Sequence, residues 1–316
     1  MDSGDADAAL GPVVAGIPMF NEEETIGTVV LLSKQHVDTV ICVDDGSSDA
    51  SWRIAQRCGA TVQHHRANRG YGAALRTLFK SAREHDARAL VILDSDGQHE
   101  ADEIPSVIQP ILDGDADVVI GSRFLADSDR SEMPRYRRLG VTLINKASNL
   151  SSNLAVQDTQ SGFRAFSAKA LDLLAFDHEG MESTLEVLDQ CEEKGLRVRE
   201  VPISVRYDVP KSSTYSAFGH GFTVLSYALV SLSQKKPLLV FGVPGVGLLA
   251  SGTAIGMRVL NSVEVLTDGT ISLSVGPGLT AAWLGMLGVS FCFTGLVLQG
   301  ARSLMRSIVM RRIEQI

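Results

Sequence analysis

Four short apolar runs set the fold class of this chain: Pro12–Pro18, Val37–Val43, Ala89–Leu93 and Asp117–Gly121. Each has the length of a strand, and polar residues gather just after Pro18, Val43, Leu93 and Gly121. Helical patterns over Thr25–Lys34, Ala50–Arg57, Ala73–His85 and Glu103–Leu112 alternate with them, with a further short strand at Thr61–His65. Such alternation predicts an α/β domain, its mostly parallel sheet covered by helices on both faces. Open sheets of this kind bind ligands at their carboxyl edge, where the polar clusters fall. The first strand is not followed by GxGxxG, and GxxxxGK[ST] is absent, which disfavours a dinucleotide-binding domain and a P-loop.

The richest of these clusters is ALVILDSDGQH, Ala89–His99. Asp94, Asp96 and Gln98 follow the strand at every second position, which in extended backbone places their side chains on one face. Two carboxylates and an amide carbonyl are hard oxygen ligands suited to Mg²⁺ or Mn²⁺, with phosphate oxygens completing the shell. An acidic turn capping the next helix would use the same residue types. Near the first strand end, Asn21 reads as the N-cap of the Thr25–Lys34 helix, with Glu23 and Glu24 in its first turn.

The remainder of the soluble part continues the pattern. Ser122–Met133 reads as a polar loop and Arg135–Leu154 as a helix. Asp158–Phe166 joins a turn to a short strand, Ala168–Leu174 and Glu182–Lys194 are helices, and Val198–Tyr207 alternates as a strand. After Lys235-Lys236 the character changes: Pro237–Met257 and Ile271–Leu298 are apolar and long enough to cross a bilayer. Tyr215–Ser233, with Tyr215, Phe218, Phe222 and Tyr227, reads as an amphipathic interfacial helix. The expected organisation is a cytoplasmic domain over 1–214, an interfacial helix over 215–236, two spans over 237–300 and a basic tail over 301–316. Lys235 and Lys236 precede the first span, while Arg302, Arg306, Arg311 and Arg312 follow the second. With Glu264 and Asp268 in the connecting turn, the positive-inside rule puts both termini in the cytoplasm. Met1–Gly11 is acidic and lacks the features of a signal peptide. A net charge of -8 argues against a nucleic-acid partner, and four widely spaced cysteines form no zinc pair. A homo-oligomer stays open.

Several motifs in order resemble family 2 of the glycosyltransferases, and within it the polyprenyl-phosphate branch of dolichyl-phosphate mannose and glucose synthases. They are Met19–Glu24, Asp44–Asp49, Asn68–Gly70, Asp94–His99, Gly121–Arg123 and Ser161–Arg164, spanning about Val13–Tyr207. The resemblance implies a GT-A type domain with a C-terminal two-helix transmembrane hairpin. It implies that Pro18, Asn21 and Glu23 border the donor's base and ribose. Asp45 would contact the base, Gly46 and Ser47 would let the backbone approach, and Gly70 would turn the chain around the donor, with Asn68 and Arg69 as neighbours. Asp94, Asp96 and Gln98 match the metal and donor-phosphate motif, and Lys211 matches a segment that helps to hold the donor phosphates.

The acceptor in that branch is a polyprenyl monophosphate, an anion that attacks without a strong dedicated base. It needs placement and a cationic clamp. Arg123 is the first candidate because it follows a strand end; Arg164 and Arg206 come next, and Arg135, Arg137 and Arg138 approach the lipid headgroups. Asp158 orients either the sugar or an arginine, or closes a loop. The implied reaction is metal-dependent inverting transfer of a hexose from a nucleotide sugar to dolichyl or undecaprenyl phosphate. UDP-glucose is favoured among the donors, because the aromatic Tyr215–Tyr227 stretch looks like glucose-type enzymes. The alternatives are a GDP-mannose-dependent dolichyl-phosphate mannose synthase and a membrane polysaccharide synthase, although QxxRW is absent. A non-enzymatic scaffold or a sugar nucleotidyltransferase would leave the metal motif or the paired spans without a purpose.

Overall fold

The computed structural model describes residues 11–125, 145, 154, 156–180, 182–206, 226–227, 229–262, 264–265, 271–272 and 275–313. The chain divides into two compact units, Met1–Ala228 and Leu229–Ile316. The expected helix over Arg135–Leu154 apart from residues 145 and 154, the residues Arg135, Arg137, Arg138 and Lys211, and most of Tyr215–Ser233 lie outside the described residues.

The first unit is built on a seven-stranded sheet. In chain order its strands are β1 (Val13–Met19), β2 (Thr39–Asp44), β3 (Thr61–His64), β4 (Ala89–Ile92), β5 (Val118–Ser122), β6 (Arg164–Ser167) and β7 (Val198–Pro202). They lie in the order β3-β2-β1-β4-β6-β5-β7. β6 runs antiparallel between β4 and β5, and every other pairing is parallel. The mostly parallel sheet expected from the apolar runs is therefore present, with one reversed strand that joins its two halves.

Both faces of the sheet are buried, and the strands divide their side chains between them with a period of two. Val13, Ala15 and Ile17 of β1, Cys42 of β2 and Val91 of β4 enter one core. It is completed by α1 (Ile26–Ser33), α2 (Ser51–Arg57) and α4 (Ile104–Leu112) through Ile26, Val30, Ala55, Ile104 and Val107. Val14, Ile41, Val43, Leu90 and Ile92 point the other way. There they meet Leu78 and Phe79 of α3 (Tyr71–Glu84), Leu171 of α5 (Ala168–Leu173) and Val187 of α6 (Ser183–Glu193). Phe79 makes edge-to-face contacts with Phe166 and Phe176, which ties α3 to β6 and the loop after α5. α6 gives way to Gly195 at φ +64, the left-handed stop its sequence predicts. β7 is shorter than expected: it ends at Pro202, and Val205 makes an isolated bridge to His99.

The second unit contains two long helices, α7 (Val243–Asn261), preceded by a π-helical turn at Leu238–Gly242, and α8 (Val275–Ile313). Between them β8 (Glu264–Val265) and β9 (Ile271–Ser272) pair antiparallel. The second apolar run thus opens as a strand at Ile271–Ser272, and α8 is described from Val275. The segments Leu238–Asn261 and Val275–Leu304 are each long and apolar enough to cross a membrane. Only 11% of each apolar window is buried, unlike the core helix of a soluble protein. Trp283, Met286 and Phe293 are each more than 60% exposed. The two helices approach backbone to backbone at glycines: a Cβ on Gly252 would lie 2.9 Å from the Ala281 carbonyl oxygen, and one on Gly288 2.8 Å from that of Gly245. Gly285 itself faces open space.

Candidate active site at the carboxyl edge of the sheet

The loops that follow β1 and β2 are stitched together by side chains capping backbone amides. Pro18 is buried in β1 opposite Val43. Asn21 adopts φ +57 and does not cap α1, whose N-cap is Thr25. Its Oδ1 instead accepts from the Ser48 amide at 2.8 Å, while its own N–H donates to Ser47 Oγ at 2.9 Å. Glu23 accepts from the Ala50 amide at 3.0 Å, and the Glu22 amide donates to Ser51 Oγ at 2.7 Å. The helix-capping expectation for Asn21 is corrected: its left-handed backbone directs the side chain across to the β2 loop, where an orphan amide waits.

Asp45 is the anchor of this side. Only 4% exposed, it accepts from the amides of Arg69 at 3.0 Å and Gly70 at 2.7 Å, and it pairs with His65 Nδ1 at 2.6 Å. A glycine is required at two nearby points. Gly46 (φ +80) would place a Cβ 2.7 Å from the Ala67 carbonyl carbon, and Gly70 (φ +95) would place one 2.4 Å from the Glu179 carbonyl oxygen. Non-glycine residues at such angles are strained before any clash is counted. Arg69 closes the rim through Glu179 at 3.0 Å.

The Asp94–Gln98 segment does not continue as an extended strand. β4 ends at Ile92, the chain turns at Ser95-Asp96, and Gly97 has φ +75. The expectation that an extended strand aligns Asp94, Asp96 and Gln98 on one face is therefore corrected; a turn carries them instead. The Asp96 carboxylate accepts from the Gln98 amide at 3.0 Å, and Gln98 is 9% exposed. Asp94 packs against Gly162, where a Cβ would fall 2.6 Å from its Oδ2. His99 Nδ1 accepts the Asp94 amide at 3.3 Å, and burial holds this imidazole down at about 4, against the pull of Asp96. Glu22 faces the same carboxylates: burial, then the charges of Asp96, Asp49 and Asp94, push it up to about 7. Among the described residues no three His, Cys, Asp or Glu side chains converge as a ready metal cage. The hard oxygen donors and the negative field felt by Glu22 nonetheless fit a divalent cation that shares its shell with phosphate oxygens.

Across the edge, Arg123 follows β5. Its Nε and Nη2 donate to the two Asp158 oxygens at 2.7 and 2.8 Å, and its amide adds a bond of 3.0 Å. Asp158 is fully buried. Burial pushes its carboxyl up, but the charge and hydrogen bonds of Arg123 outweigh that and hold it below the usual carboxylate range. Arg206 donates its amide to the Gln98 carbonyl at 2.9 Å, beside the Asp94–Gln98 turn, and its half-exposed guanidinium lies 3.7 Å from Glu100.

The family model for glycosyl transferase family 2 matches residues 15–174. The chain belongs to glycosyl transferase family 2. It is 32% identical to the UDP-N-acetylglucosamine–dolichyl-phosphate N-acetylglucosaminyltransferase of Methanococcus voltae, covering 70% of this chain and 96% of that one. Glycosyltransferase AglJ of Haloferax volcanii is 28% identical, with 95% and 96% covered. The undecaprenyl-phosphate mannosyltransferase of Micrococcus luteus is 28% identical, with 61% and 82% covered. The fold of the first unit is GT-A-like. It matches glucosyl-3-phosphoglycerate synthase of Mycobacterium tuberculosis, crystallised with Mn²⁺, UDP-glucose and phosphoglyceric acid, at a TM-score of 0.57 and 24% identity, covering 72% of this chain and 82% of that one. The protein is thus a glycosyltransferase with polyprenyl-phosphate glycosyltransferases among its relatives.

One candidate of this glycosyltransferase is reassigned. Arg164 is 4% exposed, and its guanidinium donates to the carbonyls of Ser161, Thr184 and Thr159 at 2.7–2.8 Å. It serves as an internal brace and does not present its charge to an acceptor phosphate. Three residues that the sequence analysis gave no role of their own stand out at this end of the sheet. Glu22 was hidden in the acidic Asn21–Glu24 run, and His99 directly follows the metal motif. Glu186 is buried and accepts the amides of Asp177 at 2.8 Å and His178 at 3.2 Å, holding the loop that meets Gly70 and Gly72. Its place in an amphipathic helix carried no sign of that task.

Proposed function

We propose that this glycosyltransferase moves a hexose from a nucleotide sugar to a polyprenyl phosphate, dolichyl or undecaprenyl, yielding a β-linked lipid-phosphate sugar for glycan assembly. The observation that carries the reading is that the Asp94–Asp96 turn after β4 and Arg123 after β5 follow strand ends on the same sheet edge, in a chain that also holds two helices of membrane-spanning length. Pro18, Asn21, Glu23, Asp45, Gly46, Ser47 and Gly70 form the nucleotide side, with Asp45 acting through the Arg69–Gly70 turn it anchors. Asp94, Asp96 and Gln98 would hold Mg²⁺ or Mn²⁺. A bound divalent ion there supplies neutralisation of the donor diphosphate and of the charge that grows on the leaving group.

The chain's own residues do the remainder. The acceptor phosphate oxygen forms the new bond to the anomeric carbon as the bond to the donor's phosphate oxygen breaks, and the electron pair leaves with the nucleoside diphosphate. The nucleophile is already an anion, so no side chain has to remove a proton. Arg123, held in one orientation by Asp158, and the half-exposed Arg206 offset the repulsion between the two anions. Lys211 is the further candidate for the donor phosphates. Both chain ends lie on the cytoplasmic side, by the placement of Lys235, Lys236 and the arginines after Leu298.

UDP-glucose is the favoured donor. A UDP-N-acetylhexosamine is the second reading, favoured by the named activity of the Methanococcus voltae relative, which matches over nearly its whole length. The test is a panel of UDP-glucose, UDP-N-acetylglucosamine and GDP-mannose with the full chain, Mg²⁺ or Mn²⁺, and a polyprenyl phosphate. A lipid-linked sugar and a free nucleoside diphosphate in equal amounts are expected from a UDP donor. Transfer only to water-soluble acceptors would overturn the lipid reading.

A further inference from the structure

We infer that Glu200 is a positioning residue of the transfer reaction, its carboxylate fixing the Gln157–Asp158 backbone so that Asp158 presents Arg123 to the reacting phosphates. This rests on the proposed role of Arg123. Glu200 lies on β7, in register with Ile120 of β5, whose carboxyl end leads directly into Arg123. Its two oxygens accept separately from two consecutive amides: Oε2 from Gln157 and Oε1 from Asp158, both at 2.9 Å. Among the described residues no cation is paired with Glu200, so the amides are what this carboxylate holds. Charge-assisted bonds of this type are about twice as strong as neutral ones.

Geometry makes the clamp consequential. Residue 158 sits in a segment without regular secondary structure, so no ladder fixes its backbone. Its side chain nevertheless makes three bonds to Arg123, which demand a defined carboxylate position. Beside Asn145, whose side chain donates to the Gln157 carbonyl and accepts the Thr159 amide, Glu200 restrains the Gln157 and Asp158 amides from a strand, the more rigid element. The line of force runs from β7 through two amides to a buried carboxylate, and from there to the guanidinium at the sheet edge. Glutamine at 200 retains one acceptor oxygen for two amides; aspartate is one methylene short of both.

The experiment measures kcat and KM for both substrates with the full chain carrying Glu200→Gln, Glu200→Asp, Asp158→Asn, and Glu200→Gln with Asp158→Asn. Hydrogen exchange at the Gln157 and Asp158 amides is read in the same proteins. Glu200→Gln is expected to lower kcat at least tenfold, leave donor KM within about twofold, and speed exchange at one or both amides at least tenfold. The double variant should be no slower than Asp158→Asn alone, since both changes disturb one unit. Wild-type kcat in a Glu200→Gln protein with exposed amides would overturn the inference, as would additive losses in the double variant. Unchanged exchange would overturn the clamp itself, whatever the reaction proves to be. A wild-type chain that transfers no sugar to lipid, yet shows faster exchange in Glu200→Gln, would count against the functional reading and leave the clamp standing.

Discussion

At the scale of single residues, the carboxylates of the Asp94–Asp96 turn act on their neighbours, Glu22 above all. Asp96 accepts the Gln98 amide, and its charge acts on both Glu22 and His99. Asp96→Asn keeps the size and loses the charge; transfer is expected to fall at least about 100-fold, with Mn²⁺ no longer raising donor affinity. Titration of Mn²⁺ against bound nucleotide checks this, and undiminished transfer would remove the metal role. Glu22 reports on the same field. Its folded pKa of about 7 lies above its ordinary 4.5, so ionising it costs the folded state more and more as pH rises through that interval. Glu22→Gln abolishes the cost. The variant should match the wild type near pH 4.5 and exceed it by about 1–3 kcal/mol at pH 8 in EDTA. Unfolding midpoints at the two pH values measure the gap, which Mn²⁺ should narrow.

At the scale of elements, glycines decide how closely the loops can pack. Gly70 meets the Glu179 carbonyl at φ +95, and the Gly70 amide is one of the donors to Asp45. Gly70→Ala therefore strains the backbone and pushes the 178–180 loop away, a cost of about 1–4 kcal/mol. Donor KM should rise at least tenfold, with kcat at saturating donor changed much less; equal kinetics would show that this turn does not shape the donor side. Most elements were legible in the sequence because their causes are local. Apolar runs of four to seven residues bounded by Gly and Asp read as strands, and Gly195 marked the end of α6. The reversed β6 was not legible, since strand order depends on contacts between distant segments. Nor was the turn at Gly97, where a glycine overrode the alternation that seemed to align Asp94 with Gln98. The Arg123–Asp158 pair spans 35 positions, and its support from Glu200 another 42. Residue types suggested an arginine and an acid; the β5–β7 register, invisible in the sequence, sets Glu200 beside the strand that leads into Arg123.

At the scale of the whole molecule, the proposed reaction joins a water-soluble donor to an acceptor anchored in lipid, so the side on which the catalytic unit lies is part of the mechanism. Two helices of 24 and 30 residues return the chain to the side from which it entered, provided both cross. About 20 residues at 1.5 Å per residue already span a hydrocarbon core of roughly 30 Å. Lys235, Lys236 and the arginines after Leu298 then share one side, and Glu264 and Asp268 occupy the other. A thiol placed at Ser262, just beyond α7, should react with a membrane-impermeant reagent added to intact cells. One at Ser303, in the later part of α8, should react only after the membrane is opened. Of the native thiols, Cys42 and Cys191 are buried and Cys292 lies in the middle of α8; Cys58 is partly exposed and is replaced by serine in both variants. The reverse pattern would put the carboxyl edge of the sheet on the outer side, away from cytoplasmic nucleotide sugars, and no arrangement of Asp96 and Arg123 could then make the transfer productive in the cell.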